Sequence, residues 1–244
     1  MDMAFIGVIP ARYASTRFPG KPLALIQGKP MIQWVYERSS TADLQDVVVA
    51  TDDDRIFNAV LSFHGKAVMT SPNHNSGTER CAEVAESLQL SPNDVIVNIQ
   101  GDEPFIRKEA VNLLVSRFQN PQVKIATLAK EFSAGEEPAN PNMVKVVRAQ
   151  SGKALYFSRS AIPFYRSTDI PPLFYKHIGI YAYRCDVLRD LVRLPASVLE
   201  NAEKLEQLRW IDYGYEIFVD ICDYENISID TPEDLARAEH FVNF

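Results

Sequence analysis

The stretch Phe5-Ile6-Gly7-Val8-Ile9-Pro10-Ala11-Arg12-Tyr13-Ala14-Ser15-Thr16-Arg17-Phe18-Pro19-Gly20-Lys21-Pro22 decides the fold. Phe5 to Ile9 is a short apolar run that reads as a buried strand, and a segment with helical spacing follows from about Met31 to Ser39. No acidic residue occurs between Met3 and Tyr36, whereas Arg12, Arg17, Lys21 and Lys29 all fall there. A cationic loop at the mouth of a strand, with Gly20 permitting close backbone approach and a helix N-terminus behind it, suits a polyphosphate. The alternative is an ordinary strand-to-helix connection carrying a few solvated cations.

Outward from that loop, strand and helix alternate. Asp46–Ala50, Lys66–Met69, Asp94–Ile99 and Lys124–Ala129 read as strands, and Arg55–Phe63, Thr78–Leu88 and Lys108–Phe118 have the apolar spacing of helices. Nearly continuous apolar strands separated by helices predict an α/β fold with a mostly parallel, Rossmann-like sheet covered on both faces. In such a sheet a ligand sits beyond the C-terminal strand ends. After Gly135 the pattern changes. Prolines 138, 141, 163, 171 and 172 punctuate shorter strand-like pieces, Met143–Arg148 and Tyr175–Tyr183, which predict an inserted lobe or antiparallel extension. A helix at about Ala202–Tyr213, a strand at Ile217–Ile221 and a last helix at about Pro232–Phe241 complete the chain. The organisation expected is one domain over residues 1–244, with its main part at about 4–134 and 214–244 and a smaller lobe at about 135–213.

The 244 residues carry a formal net charge of -7, which disfavours general affinity for nucleic acid or anionic lipid. Cys81, Cys185 and Cys222 are odd in number, far apart and without metal-type spacing, so reduced thiols are expected. The first residues lack the basic region of a signal peptide, and no apolar run approaches the roughly 18 residues of a membrane span. A cytoplasmic protein is the expectation.

Gln100-Gly101-Asp102-Glu103-Pro104 follows the strand ending at Ile99. A carboxylate at the C-terminal end of a central strand is placed to hold a hard cation against phosphates; the competing role, capping the next helix, is weakened because that helix starts several residues later. In Asp230-Thr231-Pro232-Glu233-Asp234, Pro232 fits the first helical position, Thr231 the N-cap and Asp234 its reciprocal partner. That leaves Asp230 for the crevice, and Asp102 with Asp230 would form a Mg²⁺ site open to substrate oxygens. Ser76-Gly77-Thr78-Glu79-Arg80 opens a helix whose amides and Arg80 could serve a nucleotide, the alternative being a capped helix with a surface arginine. Arg159, after Tyr156-Phe157-Ser158, suits bidentate contact with a carboxylate. In His177-Ile178-Gly179-Ile180-Tyr181 strand alternation puts His177, Gly179 and Tyr181 on one face, with room for a sugar-sized ligand, although a histidine on a strand is more often structural. Leu199 to Arg209 has the pattern of one amphipathic helix, for which a solvated acidic face is the default. Asp52, Asp53 and Asp54 read as a strand end and helix cap.

Ile-Pro-Ala-Arg-Tyr-x-Ser-Thr-Arg-Phe-Pro-Gly-Lys-Pro-Leu, Ser-Gly-Thr-Glu-Arg, Asn-x-Gln-Gly-Asp-Glu-Pro, Phe-Ser-Arg, His-x-Gly-Ile-Tyr, Leu-Glu-Gln-Leu-Arg and Asp-Thr-Pro-Glu-Asp-Leu occur in that order. This series resembles the 3-deoxy-manno-octulosonate (Kdo) cytidylyltransferases, over nearly the entire chain from Phe5 to Phe244. The resemblance implies transfer of CMP from CTP to Kdo for lipopolysaccharide biosynthesis, with release of pyrophosphate, a requirement for Mg²⁺, and a homodimer formed through a smaller sugar-binding lobe. It implies that Arg12, Arg17 and Lys21 hold the CTP phosphates and that Arg80 lies on the nucleotide side. Gln100 and Asp102 would lie between nucleotide, metal and sugar, with Asp230 completing the metal site. Arg159, His177, Tyr181, Glu206 and Gln207 would contact the sugar acid. One departure is Glu79, where the family more often has Asp; the extra methylene could displace Arg80. The rivals are a cytidylyltransferase for another acidic sugar, such as an 8-amino Kdo analogue or a sialic acid, and a non-catalytic sugar-nucleotide sensor on the same fold.

Overall fold

The computed structural model describes residues 3–14, 18–167, 169, 172–225 and 227–238. Apolar runs too short for helices become strands β1 (Phe5–Ala11), β4 (Asp46–Thr51), β5 (Ala67–Met69), β6 (Val95–Asn98) and β7 (Ile125–Glu131), after the small β2 (Leu25–Ile26) and β3 (Lys29–Pro30). Between them lie α1 (Met31–Ser39), α2 (Asp54–Ser62), α3 (Gly77–Ser87) and α4 (Lys108–Arg117). The second half adds β8 (Lys145–Arg148), β9 (Ala154–Ser158), β10 (Tyr175–Arg184), α5 (Cys185–Leu191), α6 (Val198–Glu203), α7 (Glu206–Asp212), β11 (Ile217–Ile221) and α8 (Pro232–Ala238).

The main sheet runs β11-β7-β10-β6-β1-β4-β5, with β8 and β9 attached beside β10. Six of its seven strands point the same way, and only β10 is reversed. Successive side chains alternate between two cores, as a pleated sheet buried on both faces requires. Ile9, Val49, Val97 and Ala126 pack under α1, α2 and α4, whereas Val8, Ala50, Ile96 and Ile125 pack under α3, α5 and α7. A third, smaller cluster of Ile26, Met31, Phe105, Ile229 and Ala238 ties the start of α1 to the segment before α8 and to α8 itself. That cluster fixes the first loop against the chain near Asp230.

Two expectations need correction. Tyr175–Tyr183 was expected in the smaller lobe, yet β10 lies between β6 and β7 in the main sheet. What extends beyond the seven-strand path is the antiparallel pair β8–β9. The stretch read as one amphipathic helix over Leu199 to Arg209, within a helix placed at about Ala202–Tyr213, is two helices, because Lys204 adopts φ 53° and ends α6 before α7 begins. The left-handed backbone costs a side-chain residue strain, and nothing about a lysine announces it. A helix for which the sequence reading gave no expectation, α5, follows β10 without an intervening turn residue.

Candidate functional site

A cavity of about 420 Å³ opens where β1 and β6 end and α3 begins, lined among others by Arg12, Lys21, Gly77, Arg80, Gln100, Asp102 and Asp230. It occupies the C-terminal strand edge, the position expected for a ligand in a parallel sheet. Its first wall is the loop after β1. Gly20 takes φ 72° and its amide donates to the Tyr13 carbonyl at 2.9 Å, closing the loop on itself. A Cβ there would also meet the Tyr13 ring at 3.1 Å, so glycine is needed twice over. The Arg55 guanidinium covers the other face of the loop, 3.2 Å from the Tyr13 ring centroid. Arg12 is exposed at the cavity mouth and forms no hydrogen bond or ion pair with a described residue. Arg17 lies outside the described residues.

The second wall is the turn after β6. Gly101 approaches β1 so closely that a Cβ would stand 2.8 Å from the Pro10 carbonyl oxygen. The Asp102 carbonyl accepts a hydrogen bond from the Ile229 amide at 2.9 Å, which delivers the next residue, Asp230, to the same crevice. Thr231 and Asp234 form the expected reciprocal cap: Thr231 Oγ1 accepts from the Asp234 amide at 3.2 Å, and Asp234 Oδ2 accepts from the Thr231 amide at 3.0 Å. Asp230 is thus not consumed by the helix start. Lys21 Nζ lies 2.7 Å from Asp102 Oδ2 and 3.2 Å from Asp230 Oδ1.

Two carboxylates converging on one cation is the donor chemistry Mg²⁺ uses when it keeps waters and substrate phosphate oxygens as its remaining ligands. Among the described residues no group of three or more His, Cys, Asp or Glu side chains is arranged to hold a metal, so the pair fits a shared site and not an all-protein cage. In the structure the Lys21 ammonium spans this pair.

Arg80 reaches the cavity from below. It is fully buried, with its guanidinium held by Thr70 Oγ1 and by Asp52 Oδ2, both at 2.6 Å. A surface arginine is excluded, and Asp52, read from the sequence as part of a strand end and cap, is its counter-ion. Asp53 does cap α2, accepting from the Arg55 amide at 2.9 Å. Glu79 makes its contacts away from Arg80. Its longer side chain turns back over the preceding loop, where it accepts from the Asn75 amide at 2.6 Å and lies 3.6 Å from His74.

Through Gly77 and Gln100 the first cavity adjoins a second, of about 190 Å³, lined by Thr78, Asn98, Gly179, Tyr181, Tyr183, Glu206, Gln207 and Trp210 as well. The shape of β10 makes this space. Its register to β7 shifts between Ile178 and Tyr181, and Thr127 Oγ1 lies 3.1 Å and 2.8 Å from the carbonyls of Ile178 and Ile180 across the irregularity. Gly179 sits at that point with nothing within 4 Å of where a Cβ would stand, and its carbonyl accepts from Gln100 Nε2 at 3.0 Å. Glu206 accepts from Thr78 Oγ1 at 2.7 Å and from Arg209 at 3.2 Å. Burial raises the Glu206 pKa, opposed by the Thr78 hydroxyl and the Arg209 charge.

Two buried polar atoms of residues lining this second cavity, Asn98 Oδ1 and Trp210 Nε1, have no hydrogen-bond partner, while the buried Tyr181 and Tyr183 hydroxyls have the hydroxyls of Thr127 and Thr78 beside them. Such atoms cost about 1–3 kcal/mol apiece when nothing pairs with them, so their convergence marks a place where a polar ligand is wanted. Of the expected sugar contacts, Gln100, Tyr181, Glu206 and Gln207 gather here. Asn98, Thr78, Tyr183 and Trp210 were missed; a polar Asn inside an apolar strand, and Tyr183 in phase with Tyr181, were the available signals.

Two expected residues lie elsewhere. His177 lines a neighbouring cavity of about 370 Å³ on the other side of Gly179. Its ring is enclosed by Phe157 and Tyr181, with centroids at 5.0 and 5.3 Å, and burial lowers its pKa to about 3, so it is neutral at pH 7. Its Nε2 is 3.0 Å from Thr127 Oγ1, so it supports the irregular stretch of β10. Arg159 is spent on main chain. Nε donates to the Glu203 carbonyl at 2.7 Å and Nη1 to the Pro141 carbonyl at 2.9 Å, which closes the end of β9 onto α6 and away from both cavities. Its fork suits carbonyl oxygens as well as carboxylates, and sequence does not choose between them.

A family profile described as cytidylyltransferase matches residues 6–221. The chain is 53% identical over 248 residues to a 3-deoxy-manno-octulosonate cytidylyltransferase of Bacteroides thetaiotaomicron and 54% identical over 248 residues to one of Phocaeicola vulgatus, covering 98% of each chain. A solved structure of CMP:2-keto-3-deoxy-manno-octonic acid synthetase complexed with CTP has a TM-score of 0.93 to this chain at 45% identity, again covering 98% of both.

Proposed function

Because the chain belongs to the 3-deoxy-manno-octulosonate cytidylyltransferase family, we infer that it transfers CMP from CTP to Kdo and releases pyrophosphate. The observation that carries this reading at the level of the site is the junction at Gly77 and Gln100. It joins a cavity of cations and paired carboxylates to one walled by hydroxyl, indole and amide groups. The first matches a triphosphate and the second a polyhydroxylated acceptor. A sugar-nucleotide sensor would have little use for Asp102 and Asp230 converging beside Lys21.

The anomeric hydroxyl oxygen of Kdo attacks the α-phosphorus while the bond to the β-phosphate bridging oxygen breaks, roughly in line, and the hydroxyl proton is lost. Arg12 at the mouth and the α3 N-terminus at Gly77 face the triphosphate, stabilising charge that builds on phosphoryl oxygens and leaving group. Lys21 lies between the carboxylates and the open cavity, where its ammonium can pass from Asp102 to a phosphate oxygen. Arg80, fixed by Asp52 and Thr70, supplies positive charge beneath without being free to swing. Asp102 and Asp230 would hold Mg²⁺, which when bound supplies Lewis-acid stabilisation of the phosphates and lowers the pKa of the attacking hydroxyl. Neutral His177 holds the wall that carries Gly179 and is not assigned as a base.

A homodimer is part of the same reading. Leu155 and Phe164, 57% and 87% exposed, leave apolar surface on and after β9, which a second copy would cover. Family membership supports reading CMP-Kdo as a product made in the cytoplasm for lipopolysaccharide biosynthesis. The test is direct: protein, CTP and Mg²⁺ are incubated with Kdo, the 8-amino analogue or a sialic acid, and pyrophosphate is followed. Preferential release with Kdo is expected. Preferential release with another acceptor reassigns the substrate, and CTP binding without release under any acceptor favours a sensor.

A further inference from the structure

Three consecutive aspartates, Asp52, Asp53 and Asp54, follow β4. Asp52 holds Arg80 beneath the nucleotide cavity, and Asp53 reaches the first wall of that cavity through Arg55. The strands explain how. β1 and β4 run parallel, and their last register pair is Ala11 with Thr51. Two residues further along each chain stand Tyr13 and Asp53, and Arg55 joins them. Its guanidinium is gripped by both oxygens of Asp53, with Nε 2.9 Å from Oδ1 and Nη2 2.7 Å from Oδ2, and it lies 3.2 Å from the Tyr13 ring centroid. Asp53 is itself fixed, since its amide donates to Thr51 Oγ1 at 3.2 Å and its carboxylate caps α2.

Gly20 packs against the same ring, so closely that a Cβ would stand 3.1 Å from it, and the Gly20 amide donates to the Tyr13 carbonyl at 2.9 Å. The two cations of the loop flank that hydrogen bond, because Arg12 precedes Tyr13 and Lys21 follows Gly20. Holding Tyr13 and Gly20 together therefore fixes the separation of the main-chain points from which Arg12 and Lys21 set out. Charge explains why a ring serves here. A carboxylate brought up to hold the loop would compete with phosphate for its cations. An aromatic face gripped by an arginine, whose own charge is matched by Asp53, tethers the loop without occupying Arg12.

We propose that Tyr13, braced by the Asp53–Arg55 pair, is a positioning residue that sets the separation of Arg12 and Lys21 across the triphosphate. This rests on the reading that those two cations face the triphosphate.

Arg55 is exposed, so Arg55→Ala removes the brace without opening the core. The full-length variant and the wild type are compared by pyrophosphate release with CTP, Mg²⁺ and Kdo, and by inhibition with added inorganic pyrophosphate. The KM for CTP and the inhibition constant for pyrophosphate should each rise about two- to fivefold, the loss of one exposed cation–π contact, while the KM for Kdo stays unchanged. Tyr13→Leu, which removes the ring, should lower kcat/KM for CTP by about tenfold or more, and Tyr13→Phe, which keeps the ring, should restore most of that loss. Adding Arg55→Ala to Tyr13→Leu should cost nothing further, because Arg55 acts through the ring. Unchanged CTP and pyrophosphate constants in Arg55→Ala, a further loss in the double variant, or a Tyr13→Phe protein as impaired as Tyr13→Leu overturns the brace. So does a parallel rise in the KM for Kdo, which marks a general loosening of the fold. If Tyr13→Leu does not fold, Arg55→Ala decides alone. A wild type that neither binds nor turns over CTP overturns the assignment of the cavity to the triphosphate, and the brace with it.

Discussion

Replacing Gly101 by alanine probes the closest approach in the site. Its Cβ would stand 2.8 Å from the Pro10 carbonyl oxygen and 3.6 Å from Ile9 Cγ2. A carbon normally keeps more than about 3.2 Å from an oxygen, so the strand ends must part by about 0.5 Å. The obstacle is main chain, so no side-chain rotation relieves it. Overpacking of this kind costs about 1–3 kcal/mol, or about 2–10 °C in Tm for a chain of this size. The catalytic cost is separate. Asp102 follows Gly101 directly and Arg12 follows Pro10 by two residues, so the displacement falls between two groups that must face one substrate. If 1 Å of misplacement costs about a hundredfold in rate, half of that costs about tenfold. Gly179→Ala is the control, because nothing lies within 4 Å of its added carbon. It should leave Tm unchanged while raising the KM for the acceptor through occupied cavity space. Steady-state pyrophosphate release and thermal unfolding measure all four quantities. A Gly101→Ala protein with wild-type kcat and a Tm within 1 °C (about 0.3 kcal/mol) would refute the claim that the two strand ends are held in contact.

Asp102→Asn should lower kcat by about 10²–10³-fold, the usual cost of removing an electrostatic group at the transfer centre. Because Lys21 keeps Asp230 at 3.2 Å, Tm should fall by only a few degrees (roughly 1 kcal/mol); activity within threefold of wild type would remove Asp102 from the centre. The His177 pKa, lowered by burial to about 3 from 6.5, means that the folded state binds fewer protons than the unfolded state between those values. Its contribution to stability is therefore full above pH 6.5 and declines as the pH falls toward 3. His177→Gln should flatten that acid slope in urea titrations, and a pH–rate limb near 6.5 that vanishes in the variant would show instead that the imidazole titrates during turnover. Burial raises the thiol pKa of Cys81 and pushes that of Cys185 up to about 12, so both should resist a disulfide reagent until the protein unfolds, with partly exposed Cys222 the first to react. Rapid labelling of Cys81 in the native state would contradict the packing of α3.

Much of the framework was legible because short apolar runs have few alternatives once helices intervene. Phe5–Ile9 and Asp46–Ala50 became β1 and β4 nearly as read, and the Thr231–Asp234 cap was legible because its residue types leave little choice. The place of β10 was not, because alternation gives a strand's faces but not its neighbours in the sheet. Arg159 and Arg80 show the corresponding limit for the site. An arginine's chemistry is evident from its identity, but whether its donors remain for a ligand depends on which carbonyls and carboxylates tertiary packing brings alongside. Asn98, Tyr183 and Trp210 escaped for the opposite reason. In sequence they belong to core-forming strands and a helix, and only their convergence on one cavity in three dimensions distinguishes them.

The reversed strand β10 has a consequence for how transfer is timed. It pairs with β6 so that Tyr181 stands opposite Asn98, and four residues beyond Asn98 the chain reaches Asp102. On the proposed reading, donor and acceptor half-sites would be borne by adjacent strands, at a spacing of about 4.8 Å set by main-chain hydrogen bonds. Alignment of nucleophile and phosphorus is then inherited from the sheet, with no need for a hinge between separate bodies to bring them together.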